Sequence, residues 1–352
     1  IIDAFTNGEV AGEVVLIAGP YGSCKSLLAV HSCICAARLH RRQWQMHLAA
    51  RKADPSIPAQ RRPVAVYVSY EMPKKEFRRR MLANAANIPY NRLMHVNKLA
   101  DLRGPGTELL KYEHKLFQAK LAAGRPVLSE LERVKEAAKL IDDHIMFVDM
   151  TGKDNGMEHY GQEGVPELAR AMTALFPESG TRWPAVLWID HTAELADEQA
   201  LAQGLDDKEK IMLLRMIPKQ LAKLGARYQI TVYQIHQLSG EANSKGSSAR
   251  LSLTEMEGCR SLARSVDFAL LINKPTPDRR AIVTCDKSRR FLAKQLERVI
   301  RINGAYMRVG LDDSCLIEGS SRHIMPRDLA YDVAKPTNKQ SGSLLLAEEV
   351  QG

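Results

Sequence analysis

The chain has 352 residues, of which 45% are hydrophobic and 26% charged, and this ordinary globular balance excludes a fibrous or disordered protein. No apolar run approaches the ~18 residues that a membrane span needs, and the six cysteines form neither a C-x-x-C pair nor a Cys/His cluster with zinc spacing. We therefore expect a cytoplasmic protein with no membrane partner and with buried thiols, Cys33 and Cys35 included. The formal net charge of +9 favours a polyanionic partner, although a basic soluble protein without one is also compatible with it.

Apolar runs in chain order predict the strands and helices. Runs at residues 14–18, 64–69, 145–149, 185–190 and 230–235 predict five buried strands. Helices are expected between them. The first runs on to about Leu39, and residues 40–63 are expected to form an exposed helix end and a loop. Other helices cover 165–175 and 208–225. Three short strands at 268–273, 281–285 and 296–302 follow, with a hairpin turn at Asn303 and Gly304. The predicted fold class is α/β, a mostly parallel twisted sheet flanked by helices, with antiparallel hairpin strands at one edge.

Two segments interrupt or follow this pattern. Residues 101–142 predict a helical insertion of two helices, the second with an apolar stripe that includes Val134, Ala138 and Ile141. It is either a solvated decoration or a partner-binding element. The domain prediction is one ATPase domain at 1–318, with this insertion, and a polar tail at 319–352.

The segment between the first strand and the first helix has the composition of a phosphate-binding P-loop. Backbone N–H groups at the start of a helix face phosphates there, and the helix dipole favours negative charge. Lys25 would reach the β- and γ-phosphates, and the Ser26 hydroxyl would bind Mg²⁺. Cys24 stands where the motif has glycine, and its Cβ is expected to crowd the phosphates. The predicted nucleotide-binding residues are Gly19, Pro20, Tyr21, Gly22, Ser23, Cys24, Lys25, Ser26 and Leu27.

Carboxylates at strand ends are the candidates for the remaining chemistry. Asp190 and Asp149 both close apolar strands, and Asp190 is the preferred second group of the Mg²⁺ site, with Asp149 beside it. Glu71 follows the second strand and is the candidate that orients and deprotonates water. A helix cap is the alternative role for Glu71.

Several short segments, in the same order, resemble the core of replicative hexameric helicases of the DnaB type. They are Ser69 to Pro73, Trp188 to His191, Gln234 to Leu238, Arg260 to Leu262, and Asp286 to Arg289, and together the resemblance spans residues 8–310. It implies a RecA-like ATPase core that uses ATP and Mg²⁺. It also implies a homo-oligomer, most simply a hexameric ring, with ATP at the subunit interfaces.

The resemblance also implies residue roles. Glu71 would be the catalytic base, Asp190 the metal-site acid, and Gln237 a sensor of the γ-phosphate. Lys287 and Arg289 would reach the neighbouring subunit's nucleotide, an effect worth ~10³ or more in phosphoryl transfer. Such a residue, which completes a neighbour's nucleotide site, is called a finger, and Arg290 is an alternative candidate for it. The alternative interpretation of Lys287 and Arg289 is a solvated strand end.

Single-stranded DNA is the partner that the resemblance implies, with a primase or helicase loader as a further one. The loop at 239–257 supplies Lys245 and Arg250 as DNA-binding candidates. The segment at 193–208, expected to be a loop, is a weaker and more acidic candidate.

The expected function is an ATP-dependent DNA helicase that translocates on single-stranded DNA during replication. Cys24, the insertion and the lack of a recognisable collar or primase segment favour a phage or plasmid type, in the cytoplasm of a bacterium or of a phage's host. Two alternatives remain: a RecA-family recombinase-like or regulatory ATPase that binds DNA without unwinding it, and a degenerate ATPase that acts as a structural or loading partner.

Overall fold

The architecture is described by a computed structural model. It describes residues 12–94, 130–151, 164–238, 247, 251–255, 265–289 and 296–311. The first part of the predicted insertion and the predicted tail lie outside these residues. Among the described helices, none is both long enough and apolar enough to cross a membrane.

Within these residues, nine strands form one sheet in the order β3-β2-β4-β5-β1-β6-β7-β8-β9. The strands from β1 to β6 pair in parallel, and β6 to β9 pair antiparallel. The predicted mixed sheet with an antiparallel edge is therefore confirmed. The strands are β1 (Val14–Gly19), β2 (Arg62–Ser69), β3 (Ile145–Asp149), β4 (Arg182–Asp190), β5 (Thr231–Gln237), β6 (Phe268–Ile272), β7 (Arg280–Ser288), β8 (Leu296–Asn303) and β9 (Arg308–Leu311).

Helices connect the parallel strands, as parallel pairing requires. The described α-helices are α1 (Lys25–Ala53), α2 (Lys74–Ala86), α3 (Tyr90–Met94), α4 (Glu130–His144), α5 (Val165–Leu175), α6 (Thr192–Gln203) and α7 (Asp207–Tyr228). A capping box starts α7, because the Asp206 side chain accepts from the Glu209 amide while Glu209 accepts from the Asp206 amide.

Both faces of the sheet are covered, so the strands are apolar on both sides rather than alternating with polar residues. One core lies under α5, α6 and α7 and includes Leu16, Leu187 and Leu221. The other lies under α1, α2 and α4 and includes Ile17 and Trp188. This sandwich buries β1 completely and fixes the position of the loop that follows it.

The structure corrects four local predictions. First, α1 continues to Ala53, well beyond Leu39, because residues 40–53 are good helix formers with no Gly or Pro to stop them. Second, the expected loop at 193–208 contains α6, which the same propensity explains. Third, the predicted hairpin is present between β8 and β9, but its connection is a 3₁₀ turn, Gly304–Tyr306, rather than a turn at Asn303 and Gly304.

The fourth correction concerns the predicted insertion. Its second helix is α4, which leads directly into β3 and packs against α1 and α2. Ala137 and Leu140 are buried in it with Val134 and Ile141, whereas Ala138 is only half-buried. This helix therefore belongs to the layer that covers the sheet. The part at 101–129 lies outside the described residues.

Candidate functional site

The segment that joins β1 to α1 forms a compact loop at the carboxyl end of the central strand. Lys25 is the first residue of α1 and is almost completely buried. Its Nζ donates to the carbonyl oxygens of Gly19 and Pro20, at 3.0 Å each. The lysine thus holds the loop closed through the loop's own backbone. Phosphate oxygens are acceptors of the same kind as these carbonyls.

Glycine is required at the first position of this loop. A Cβ on Gly19 would lie 2.5 Å from the carbonyl oxygen of Ile272 on β6 and would also collide with the Ser23 hydroxyl. Ser23 itself is buried and its hydroxyl has no hydrogen-bond partner among the described residues. Tyr21, at the tip, is strongly exposed. The loop is therefore tight at its base and open to solvent at its tip.

Cys24 adopts the left-handed backbone conformation that explains the usual glycine at this position. It is the N-cap of α1, with φ 64° and ψ 27°. Only glycine takes up this region without a steric penalty. The Cys24 thiol lies 3.8 Å from the Gly22 carbonyl oxygen, and burial raises its pKa, against the opposing effect of Lys25. The loop keeps its conformation despite the Cβ.

Ser26 and Asp190 meet at the start of α1. The Ser26 hydroxyl donates to Asp190 Oδ1 at 3.2 Å, and the Tyr67 hydroxyl donates to Asp190 Oδ2 at 2.6 Å. Asp190 has no solvent-exposed surface. Burial raises its pKa, while the neighbouring His191 and the hydrogen bond from Tyr67 lower it. Two potential oxygen ligands for a metal ion, a hydroxyl and a carboxylate, therefore lie side by side next to the loop.

Asp149 has a different position. Its Oδ2 accepts from the backbone N–H of Lys74, the first residue of α2, and its Oδ1 accepts from both the amide and the hydroxyl of Thr151. These bonds cap a helix and a turn. Of the two strand-end aspartates, the geometry places Asp190 next to Ser26.

Glu71 lies on the solvent side of Asp190. The side chain of Glu71 is 57% exposed, and its Oε2 is 3.5 Å from His191 Nε2. Ligand atoms of Glu71, Asp190 and His191 all lie within 4.8 Å of one another. His191 is buried, and its Nδ1 has no partner among the described residues. The exposed carboxylate of Glu71 and the buried one of Asp190 thus border the same space.

Gln237 lies beside the loop on the neighbouring strand. It is the last residue of β5 and pairs in register with Gly19, the last residue of β1. The Leu238 amide also donates to the Gly19 carbonyl oxygen. The end of β5 is therefore bonded directly to the start of the loop.

Lys287 and Arg289 lie at the opposite end of the parallel strands from the loop. Ser288 pairs with Phe268, which pairs with Val15 at the beginning of β1, whereas the loop follows its end. Four residues of strand separate the two levels, or about 13 Å. Arg289 donates to Asp267 Oδ1 at 2.6 Å. Burial and the adjacent Arg289 lower the pKa of Lys287. This pair does not reach the loop of its own chain.

Comparisons with known proteins identify the family of the chain. A family model described as an AAA domain matches residues 7–242, which is more than half of the chain. The chain belongs to the AAA domain family. No curated protein sequence matches it significantly.

Solved structures give the fold of this AAA domain. One solved ATPase domain is similar with a TM-score of 0.58 and 13% identity, over 88% of this chain and 87% of that one. A DnaB-like replicative helicase, solved with its interactions with primase, is similar with a TM-score of 0.57 and 13% identity, over 85% of this chain and 57% of that one. The fold is that of a DnaB-type RecA-like core, as expected.

Ser26 and Asp190 of this AAA domain fit a magnesium ion. Mg²⁺ prefers oxygen ligands and is commonly held by one or two protein groups together with substrate phosphates. The adjacent hydroxyl and carboxylate provide such a pair. The imidazole of His191 faces Glu71 instead.

Sequence reasoning missed two residues of the site, Tyr67 and His191. Tyr67 lies in a strand of mainly aliphatic residues, and its one signal in the sequence is that it is the aromatic residue of that strand. Cys35, expected to be buried, is exposed, whereas Cys33 is fully buried. The predicted DNA-binding residues Lys245 and Arg250, and the alternative finger Arg290, lie outside the described residues.

Proposed function

We propose that this AAA domain hydrolyses ATP with Mg²⁺ at the loop between β1 and α1. The single observation that carries this proposal is the hydrogen bond between Ser26 and Asp190 at the start of α1. On binding, the triphosphate replaces the carbonyls of Gly19 and Pro20 as acceptors for Lys25. Ser26 and Asp190 would hold the Mg²⁺, which would supply neutralisation of the phosphate charge. Glu71, exposed at the rim, orients a water molecule and takes its proton.

We propose further that the chain assembles head to tail. Lys287 and Arg289 lie at the end of the strands opposite to their own loop, which supports a role for them at a neighbouring chain's site. A subunit that supplies the basic pair at one end and binds the nucleotide at the other forms heterologous contacts, which close into a ring where the rotation between neighbours closes and otherwise give a filament. The likeness in fold to a DnaB-like replicative helicase supports a hexamer, the assembly that the sequence resemblance implies.

The proposed work of this ring is translocation on single-stranded DNA, as a helicase motor in replication. The net charge of +9 favours a polyanion. Gln237, bonded beside the loop, is proposed to sense the γ-phosphate, and the chain that follows it carries Lys245 and Arg250 as the DNA contacts. A primase is a proposed partner, because one structural relative was solved with its primase interactions. A helicase loader is another.

The first experiment measures turnover and assembly of the purified protein. We expect ATPase activity that single-stranded DNA stimulates, rings in electron micrographs with ATP, and displacement of a strand from a forked duplex. Lys25→Ala should abolish turnover. DNA binding without strand displacement would instead favour the recombinase-like or regulatory role. Failure to bind ATP would favour the degenerate ATPase.

The second experiment tests the finger. Arg289→Ala should lower the turnover rate by about 10³ while ATP still binds, and Arg301→Ala, an exposed arginine on β8, is the control. Mixing Arg289→Ala with Lys25→Ala subunits should restore part of the activity, because an intact loop then meets an intact finger. No recovery on mixing, with each variant assembled, would contradict a finger supplied by the neighbour.

A further inference from the structure

Each oxygen of the Asp190 carboxylate accepts a hydrogen bond from a different hydroxyl. Oδ1 receives the Ser26 hydroxyl, on the side of the loop. Oδ2 receives the Tyr67 hydroxyl at 2.6 Å, a distance typical of a charge-assisted bond. Tyr67 and Asp190 are both fully buried, so no solvent competes for either group. The carboxylate is therefore held at both ends.

Strand register explains why Tyr67 reaches this position. Ser69 on β2 pairs with Asp190 on β4, and Tyr67 pairs with Trp188. Residues two apart on a strand point to the same face. Tyr67 and Asp190 thus face the same side of the sheet, under α1, two register positions apart along the strands.

The ring of Tyr67 is fixed by aromatic neighbours. Its centroid lies 4.5 Å from that of Phe77 on α2 and 6.2 Å from that of Phe147 on β3. Phe77 and Phe147 also stack on each other at 4.2 Å. These contacts hold the ring in the position from which its hydroxyl reaches Oδ2. Packing that locks a supporting residue is the usual way to hold a site in its productive geometry.

We infer that Tyr67 is a positioning residue for the metal site, an inference that rests on the proposed ATPase function. The phenol occupies Oδ2 and fixes the carboxylate plane, so that Oδ1 stays beside Ser26, where the pair would hold the metal. Without the hydroxyl, Oδ2 is buried without a partner, and the carboxylate turns to recover a hydrogen bond. The effect falls on the metal, whereas the phosphates are held by Lys25 and the loop amides.

Tyr67→Phe tests this inference, because it removes only the hydroxyl and keeps the aromatic stack. The matched control is Tyr228→Phe on α7, a buried tyrosine whose hydroxyl bonds to Thr173 on the far side of the sheet. Binding of Mn²⁺ to the protein with ATP is measured by electron paramagnetic resonance. Binding of a fluorescent ATP analogue is measured without metal.

We expect Tyr67→Phe to weaken Mn²⁺ binding about tenfold, as the loss of a hydrogen bond to a charged group implies, with metal-free nucleotide binding unchanged. Tyr228→Phe should change neither. Equal Mn²⁺ affinity in wild type and Tyr67→Phe would overturn the inference, as would an equal loss of both kinds of binding. If the wild type itself binds neither ATP nor Mn²⁺, the proposed function fails instead.

Discussion

Replacing Cys24 by glycine asks whether the side chain that departs from the P-loop motif impairs the site. The backbone of Cys24 is already in the left-handed region, with φ 64°. The loop therefore has the conformation that glycine would give it. We expect Cys24→Gly to change the dissociation constant for MgATP by less than about tenfold, or 1.4 kcal/mol.

The expected change in folding stability is the sum of three small effects. Relief of the left-handed conformation stabilises by roughly 1–2 kcal/mol. The freer unfolded chain of a glycine variant costs roughly 0.4–1 kcal/mol. Loss of the half-buried side chain, which packs against the core under α1, costs about 0.5 kcal/mol more. The net change in the free energy of unfolding is within about 1 kcal/mol of zero.

A short series separates these effects. Cys24→Ala keeps the strained φ and loses the thiol, and Cys24→Val puts a β-branched residue where φ is positive, the least tolerated combination. Urea unfolding should rank glycine and cysteine above alanine, and alanine above valine. Isothermal titration calorimetry with MgATP gives the affinities. The reasoning is refuted if the wild type fails to bind ATP while Cys24→Gly binds it, because the Cβ then closes the site.

Two further predictions concern the loop's base and a buried histidine. Gly19→Ala places a Cβ against the Ile272 carbonyl oxygen and should lower the free energy of unfolding by about 1–3 kcal/mol. Gly310→Ala on β9, where nothing lies within 4 Å of the added Cβ and φ is not positive, is its control, and equal effects in urea titrations would contradict the clash. Burial, with a smaller effect of His144, lowers the pKa of His40 to about 4. In this pH range the unfolded chain therefore binds a proton at His40 and the folded chain does not. The free energy of unfolding falls as the pH drops from about 6.5 toward 4. Between pH 7 and pH 5, we expect the free energy of unfolding of His40→Gln to fall by about 2 kcal/mol less than that of the wild type. Identical dependence of the unfolding free energy on pH in the two proteins would exclude this role for His40.

The sequence predicted the sheet well because its signals are local. The runs 64–68 and 145–148 are apolar, and each was found as a strand; β2 is buried from Val64 onward, whereas β3, at the edge of the sheet, is half-buried after Ile145. Helix ends were harder to predict. The polar run after Leu39 was expected to leave the helix, but α1 continues to Ala53 with one side against α4. Polarity indicates exposure, and exposure does not end a helix.

The site was predictable where a motif fixes it and not where tertiary contacts do. Lys25 and Ser26 follow from the loop pattern. The choice between Asp149 and Asp190 needed the register of β2 with both neighbours, which brings Asp149 to α2 and Asp190 to Ser26. Tyr67 is bonded to a carboxylate 123 positions away along the chain, and no local pattern encodes such a pair.

Asp267 connects Arg289 to the first residue of β1. Asp267 exchanges hydrogen bonds with Val14, the first residue of β1, and its other oxygen holds Arg289. Gly19, the last residue of β1, begins the loop. The strand is buried along its whole length and braced in parallel by β5 and β6, so it acts as a stiff strut about 20 Å long. In the proposed ring, a force on one subunit's Arg289 reaches that subunit's own loop through β1. Each nucleotide site is thereby coupled mechanically to the next one around the ring.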